Sequence, residues 1–404
     1  MSWTPPPEPP RRARLVLTTP DGALVGATPA LAVETPWWQH VEPVVDRARH
    51  VLGIDVVILR ILSADRPGPH GGEVTYLAEI AKPAPAVPWS GAMEDHPLRL
   101  RYARPGGPAE DLAWAQAALA ERGLKPIAAP IQVRTWNLSS LWRLPVEGRT
   151  VWLKCAPPFM AHEAALLRRL SGARTPAVLT AADGRALMAE IPGEDLYAPT
   201  EVQALAMVDL LTDLQRAWVG RVPALLRMGL PDWRSAALIE AITGVVSRTA
   251  AELDEQDRAT LSAFVEALPA CMDAVQACGL PDTLVHGDFH PGNFRGEGLQ
   301  LTLLDWSDSG VGHPLLDLPT FIRALPPELA LPVWRHWISR WRQAFPESDP
   351  KRAATLLAPV AAARMAAVYQ RFLDNIEPSE HPYHRADPAE WLRRTAALVR
   401  EAPG

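Results

Sequence analysis

The sequence predicts an α+β protein in which a small β-rich part precedes a large helical one, with a further small α+β segment in front of both. Three observations predict it. The run "APIQVRTWNLSSLWRLPVEGRTVWLKCA" (129–156) alternates apolar and polar side chains at the period of strands. After Pro192 the apolar spacing turns helical and stays so almost to the C-terminus. Within the helical part lies "LVHGDFHPGN" (284–293), too polar for a core and led in by apolar residues that a solvated loop has no use for.

The elements are taken in chain order. "MSWTPPPEPPRRAR" has no apolar core of the kind a secretory signal carries, so residues 1–13 read as a disordered, proline-rich tail. "RLVLTT" (14–19), "DVVILRIL" (55–62) and "EVTYLAEI" (73–80) are strand candidates, and 37–53 is a helix candidate. "AEDLAWAQAALAERG" (109–123) is an amphipathic helix closed by a glycine. Residues 14–125 therefore read as a small α+β domain to which the sequence attaches no chemistry. The β-rich lobe spans 126–192, with "VEGRT" and Asp183-Gly184 as hairpin turns and 161–172 as a short helix. The helical lobe spans 193–404, with helices over 200–219, 233–252, 255–278, 327–345, 351–374 and 388–401.

The totals bound what this architecture does. At 404 residues the chain suggests two or three domains, and 48% hydrophobic with 21% charged residues is the balance of a soluble globular protein. A formal charge of −6 argues against a nucleic-acid partner. Three cysteines without paired spacing fit a reducing compartment, and no apolar run is long enough for a membrane span, so the expected location is cytoplasmic.

The chemistry is concentrated in the polar loop and the segment just after it. "FRGEGLQLTLLDW" (294–306) reads as a hairpin, which brings Asn293 before its first strand close to Asp305 after its second. Asp288 stands five residues before Asn293. Two carboxylates and a carboxamide at one end of a hairpin suit Mg²⁺, which prefers hard oxygen ligands. A zinc site on His286 and His290 is disfavoured, because Pro291-Gly292 breaks the helix that would align the two rings and no third soft ligand is in register.

The spacing His-x-Asp-x-x-x-x-Asn, with an Asp at the end of a later strand, is that of the kinase catalytic loop. Here "HGDFHPGN" with "LLDWSDSGVGHPLLDL" resembles the aminoglycoside phosphotransferase family, small-molecule kinases related in fold to protein kinases. The resemblance implies a protein-kinase-like bilobal fold and transfer of the γ-phosphoryl group of ATP (or GTP), with Mg²⁺, to a hydroxyl of an aminoglycoside, amino sugar or similar small metabolite. It implies Asp288 as the catalytic base and Asn293 and Asp305 as metal ligands. It also implies a strand lysine and a helix glutamate: Lys154, one of only four lysines, ends "TVWLK", and Glu163 comes in the next helix to orient it. Asn137, Ser139 and Ser140 stand where the phosphate loop belongs. Met188, Glu190 and Ile191 stand at the hinge that meets the nucleotide base. His286, His290 and Asp317 are expected to support the loop rather than react.

The chain departs from protein kinases in three ways. "TWNLSSLWRL" (135–144) carries no glycine, the DFG triplet is replaced by Asp305-Trp306-Ser307, and no room is left for an activation segment. A small-molecule acceptor is therefore expected. Glu194, Asp195, Asp308, Asp374 and Glu377 are acidic candidates for receiving a cationic one. The alternative is a non-catalytic nucleotide-binding regulatory module that senses through 14–125; the intact Lys-Glu-Asp-Asn-Asp set argues against it.

Overall fold

The structure, a computed structural model, describes residues 10–401 apart from 92 and 173. Contacts divide the chain into two units: Met1–Ala161 with Val178–Glu190 and Arg371–Ala386, and His162–Ala177 with Ile191–Gln370 and Asp387–Gly404.

The first unit holds two sheets. β1 (Arg11–Thr18), β2 (Leu24–Ala27), β3 (Leu31–Val33), β4 (Val57–Ala64) and β5 (Gly72–Glu79) form one, ordered β2-β1-β5-β4 with β3 also on β1. β1 and β5 run parallel, and Ala13, Leu15 and Leu17 share a core with Val74, Tyr76 and Ala78 and with Val44 and Ala48 of α1 (Glu42–Leu52). The expected tail lies outside the described residues over 1–9, but Arg11–Ala13 are already strand. The reason is Arg11, which is buried and donates to the Trp38 carbonyl (2.9 Å) and the Tyr76 hydroxyl (2.8 Å).

After α2 (Gly107–Ala120) the second sheet is antiparallel, ordered β6-β7-β8-β10-β9 from β6 (Ile131–Trp136), β7 (Ser139–Val146), β8 (Arg149–Cys155), β9 (Val178–Ala182) and β10 (Arg185–Ala189). Asp183 and Gly184 both take positive φ (50° and 75°), the geometry that lets a two-residue turn match the twist of its strands. Val151, Leu153 and Cys155 face a core shared with α2, so Trp152 and Lys154 lie on the opposite face.

What the sequence divides at residue 125, the structure holds within one unit. The Gln132 side chain accepts from the Ile58 amide (2.9 Å) and donates to the Ile58 carbonyl (2.7 Å), and the Thr135 amide donates to the Gln39 carbonyl (3.1 Å).

The second unit contains α3 (His162–Arg169), α4 (Glu201–Trp218), α5 (Val222–Arg227), α6 (Ser235–Thr249), α7 (Glu255–Gln276), α8 (Leu318–Ala324), α9 (Pro327–Ala344) and α11 (Asp387–Glu401). α10 (Pro350–Asn375) also belongs to it up to Gln370. Start signals are visible in the chain: Thr200 and Gln203 close a capping box on α4, and the Asp254 side chain accepts from the Asp257 amide (2.7 Å) at α7. Six short strands complete the unit, β11 (Glu194–Asp195), β12 (Asp232–Trp233), β13 (Thr283–Val285), β14 (Phe294–Glu297), β15 (Gln300–Leu303) and β16 (Gly310–Gly312). They form the sheets β11-β14-β15 and β12-β16-β13. Among the described residues no helix is long and apolar enough to cross a membrane.

Candidate active site

The buried strand β13 delivers the chain to His286, and the loop beyond it is held from below by one carboxylate. Asp317, 1% exposed, accepts from the His286 amide at Oδ2 (2.9 Å) and the Gly287 amide at Oδ1 (2.8 Å). Gln215 of α4 donates its Nε2 to the same Oδ2 (3.2 Å). Burial pushes the Asp317 carboxyl up, opposed by the neighbouring His286, these amides and Arg364. Gly287 has φ +91°, and a Cβ there would sit 2.0 Å from the Asp308 carbonyl oxygen, so only glycine fits.

The His286 ring is buried, which holds its pKa below the ordinary value and keeps it neutral. Its Nε2 carries the hydrogen, donating to the Leu304 carbonyl (2.9 Å), and the ring stands edge-on to Trp306 at 4.6 Å between centroids. His286 thus ties the loop to the end of the hairpin.

Asp288 comes next, half-buried. Asn293 donates its Nδ2 to the Asp288 carbonyl (2.8 Å) and to Oδ2 (3.0 Å). That use of its nitrogen leaves Oδ1 as the atom of the carboxamide with lone pairs to offer a cation. His290 accepts at Nδ1 from the Gly292 amide (3.1 Å), so Nε2 bears the proton, 3.4 Å from Asp288 Oδ2. Burial pushes Asp288 up, but the bond and charge of His290 outweigh it and hold the carboxyl below its ordinary value. His290 moves the other way, above its ordinary value: burial lowers it, and the bond to Asp288 more than reverses that.

The β14–β15 hairpin does what its sequence requires. Phe294 pairs with Leu303, and the Leu304 amide donates to the Asn293 carbonyl (2.7 Å), which sets Asn293 and Asp305 at one end. Asp305 adopts a left-handed conformation (φ 54°), which Asp tolerates better than most residues. Glu163 of α3 is buried, and its two oxygens accept from the Trp306 amide (3.1 Å) and the Ser307 hydroxyl (3.0 Å). The helix glutamate therefore grips the segment directly behind Asp305.

Lys154 is half-buried on the middle strand β8, paired in register with Leu141 and Ala186. Met188 pairs with Trp152, and Glu190 accepts from the Trp152 indole. The chain leaves the first unit after Glu190, and the Ile191 carbonyl accepts from Arg295 Nε (2.8 Å).

Ser139 and Ser140 are buried, and their hydroxyls accept from the Trp136 indole (3.0 Å) and the Trp142 indole (3.1 Å), which leaves each O–H to donate. Glu377 is corrected on its burial: it is 4% exposed, enclosed between Arg99 (2.7 Å) and Arg60 (3.3 Å), and closed to an incoming cation. Glu194, Asp195 and Asp374 are exposed and Asp308 is half-buried; Asp195 pairs with Arg295 (2.8 Å).

Sequence reasoning missed Arg364, Gln215 and Arg295. Arg364 is buried on α10, with Nη1 3.4 Å from the Gly287 carbonyl and its guanidinium 5.0 Å from the centre of the Trp233 ring. The signal was present: a lone arginine in "APVAAARMAAV" (358–368) has to be buried with partners or not at all.

A family model described as the phosphotransferase enzyme family matches residues 142–350, more than half the chain. The chain belongs to that family. It is the family that the loop motif resembles, and the phosphotransferase has the α+β, protein-kinase-like fold which that resemblance implies. A type I macrolide 2′-phosphotransferase is similar in structure with a TM-score of 0.50 at 15% identity, over 72% of this chain and 97% of that one. The macrolide 2′-phosphotransferase of Brachybacterium faecium gives 0.48 at 17% identity, over 72% and 99%. A choline/ethanolamine kinase family protein from Mesorhizobium loti gives 0.49 at 18% identity, over 72% and 99%. No curated protein matches the phosphotransferase.

Proposed function

We propose that this phosphotransferase moves the γ-phosphoryl group of ATP (or GTP) to a hydroxyl of an aminoglycoside, amino sugar or similar small metabolite. The observation that carries the reading is the Asp288–Asn293 couple, tied at 2.8 and 3.0 Å, at the hairpin end that also presents Asp305. The donor set fits Mg²⁺: Asn293 offers an oxygen because its nitrogen is engaged, and Asp305 adds a hard carboxylate. Asn293 and Asp305 would hold the ion, which supplies charge neutralisation at the phosphates when bound.

The chain's own residues supply the rest. Asp288, kept ionised by His290, orients the acceptor hydroxyl and takes its proton as the oxygen–phosphorus bond forms and the bond to the nucleoside diphosphate breaks. Lys154 neutralises the donor phosphates as a point charge. Asp317, His286 and Gly287 fix the loop so that little reorganisation accompanies the reaction. Exposed Glu194, Asp195 and Asp374, with half-buried Asp308, are the acidic groups that would favour a cationic acceptor.

The test is magnesium-dependent nucleotide consumption across a panel of aminoglycosides and amino sugars, with Asp288→Ala alongside. Turnover is expected in the parent and a loss of at least about a thousandfold in the variant, with nucleotide binding and fold retained. Substantial phosphoryl transfer by Asp288→Ala would remove Asp288 from the mechanism.

A further inference from the structure

In protein-kinase-like folds a glycine-rich turn at the start of the β-rich lobe covers the donor phosphates. Here the corresponding turn, Asn137-Leu138 between β6 and β7, has no glycine, and Asn137 is 0% exposed. Its partners come from more than 240 residues away in the chain: Nδ2 donates to the Glu380 carbonyl (3.4 Å), and His384 Nε2 lies 3.0 Å from Oδ1. Because the carboxamide nitrogen is the donor to Glu380, Oδ1 is the acceptor, and His384 carries its hydrogen on Nε2. Trp136, just before the turn, stands edge-on to Tyr383 (5.7 Å) and tilted to His384 (5.6 Å).

The segment that reaches this turn is itself fixed to the N-terminal sheet. The Arg99 fork meets Glu377 through Nε (3.1 and 3.2 Å) and Nη2 (2.7 Å), and Arg60 of β4 lies 3.3 Å from the same carboxylate. Glu380 accepts from the Ile61 amide (3.4 Å), the Pro382 carbonyl accepts from the Gly68 amide (3.0 Å), and Tyr383 packs against Trp38 at 5.5 Å. A buried carboxylate with two arginines costs desolvation that a mere surface strap would not need, and in return it sets one geometry.

We infer that residues 377–384 form a fixture between the N-terminal sheet and the β6–β7 turn, with His384 and Asn137 as positioning residues that set this turn for the phosphoryl donor. The inference rests on the phosphotransfer reading above. It gives the α+β segment 14–125 a role as the anchor of that fixture, and it explains how a turn without glycine is given its shape: side chains hold it.

The experiment measures binding of β,γ-methylene ATP with Mg²⁺ by calorimetry, and steady-state kinetics, on the full chain. Variants are His384→Leu and Asn137→Ala, with His384→Gln retaining a donor. Losing one buried hydrogen bond predicts analogue binding weaker by about tenfold, and a donor KM raised in step, with kcat and acceptor KM within about threefold of the parent. His384→Gln should restore most of the affinity. Circular dichroism checks folding, and if His384→Leu does not fold, Asn137→Ala decides.

Folded variants that bind the analogue as tightly as the parent overturn the inference, and so does a joint decline of kcat and both KM values. A parent that binds the analogue but transfers no phosphoryl group overturns the phosphotransfer reading, while the affinities still decide the fixture. A parent that does not bind it overturns both.

Discussion

Asp317→Asn tests whether one buried carboxylate sets the catalytic loop. The carboxylate accepts three bonds, from the His286 amide (2.9 Å), the Gly287 amide (2.8 Å) and Gln215 Nε2 (3.2 Å). An asparagine keeps one oxygen and turns an NH₂ toward a backbone N–H, so at least one buried amide loses its acceptor. That costs about 1–3 kcal/mol, and the surviving bond loses its charge assistance, roughly another 1 kcal/mol. A local penalty of about 2–4 kcal/mol corresponds to amide exchange at His286 and Gly287 faster by about 30- to 1000-fold. Native-state hydrogen exchange reads those two amides directly, with the Tyr76 amide in the first unit as an internal control that should not move. The kcat should fall by about a hundredfold, the usual cost of a catalytic group held loosely. Exchange within about threefold of the parent, together with a preserved kcat, would refute the idea that Asp317 holds the loop.

Gly287→Ala places a Cβ 2.0 Å from the Asp308 carbonyl at φ +91°, so the loop has to shift; a drop in thermal midpoint and near-complete loss of turnover are expected. Parent-like values for both would contradict the geometry. Glu380 supplies a pH test. Burial, then the charge of Glu377, pushes its carboxyl up to about 8 from 4.5, against Arg60, Arg99 and the Ile61 amide, with Tyr102 and Tyr383 also bordering it. The folded chain keeps a proton that the unfolded chain releases, so this contribution to stability is intact below about 4.5 and is lost as pH rises to about 8. The slope is up to about 1.4 kcal/mol per pH unit, and Glu380→Gln should remove it. Urea midpoints measured across that range check this, and identical slopes in parent and variant would sink it.

What the sequence carries depends on the range of the interactions. Long helices were legible because their period repeats: 327–345 is α9 (Pro327–Ala344) and 388–401 is α11 (Asp387–Glu401). The β14–β15 hairpin was legible too, and with it the placing of Asn293 and Asp305 at one end of it, since a tight turn fixes register locally. Two-residue strands such as β11 and β12 carry no period and could not be found. Strand Arg11–Ala13 was hidden by neighbouring prolines and arginines, because the partners that bury Arg11 come from Trp38 and Tyr76. Glu377 shows the same limit in the site. By composition it is one more surface acid, and only the fold brings Arg60 and Arg99 to it.

The two histidines of "HGDFHPGN" show how one short window produces opposite electrostatic states. They stand four residues apart, yet the backbone turn at Gly287 sends the first inward and leaves the second beside the carboxylate. Burial outweighs the pull of Asp317, Asp288 and Asp305 and keeps His286 neutral, which is the state that lets a single Nε2–H brace the Leu304 carbonyl without a charge to solvate. His290 faces Asp288 at 3.4 Å, and each raises the population of the other's charged form. A carboxylate buried alone would take up a proton, whereas Asp288 beside the His290 Nε2–H stays ionised near neutrality while remaining half-shielded from water. Gly287 permits this division, because a Cβ at its left-handed turn would meet the Asp308 carbonyl oxygen at 2.0 Å.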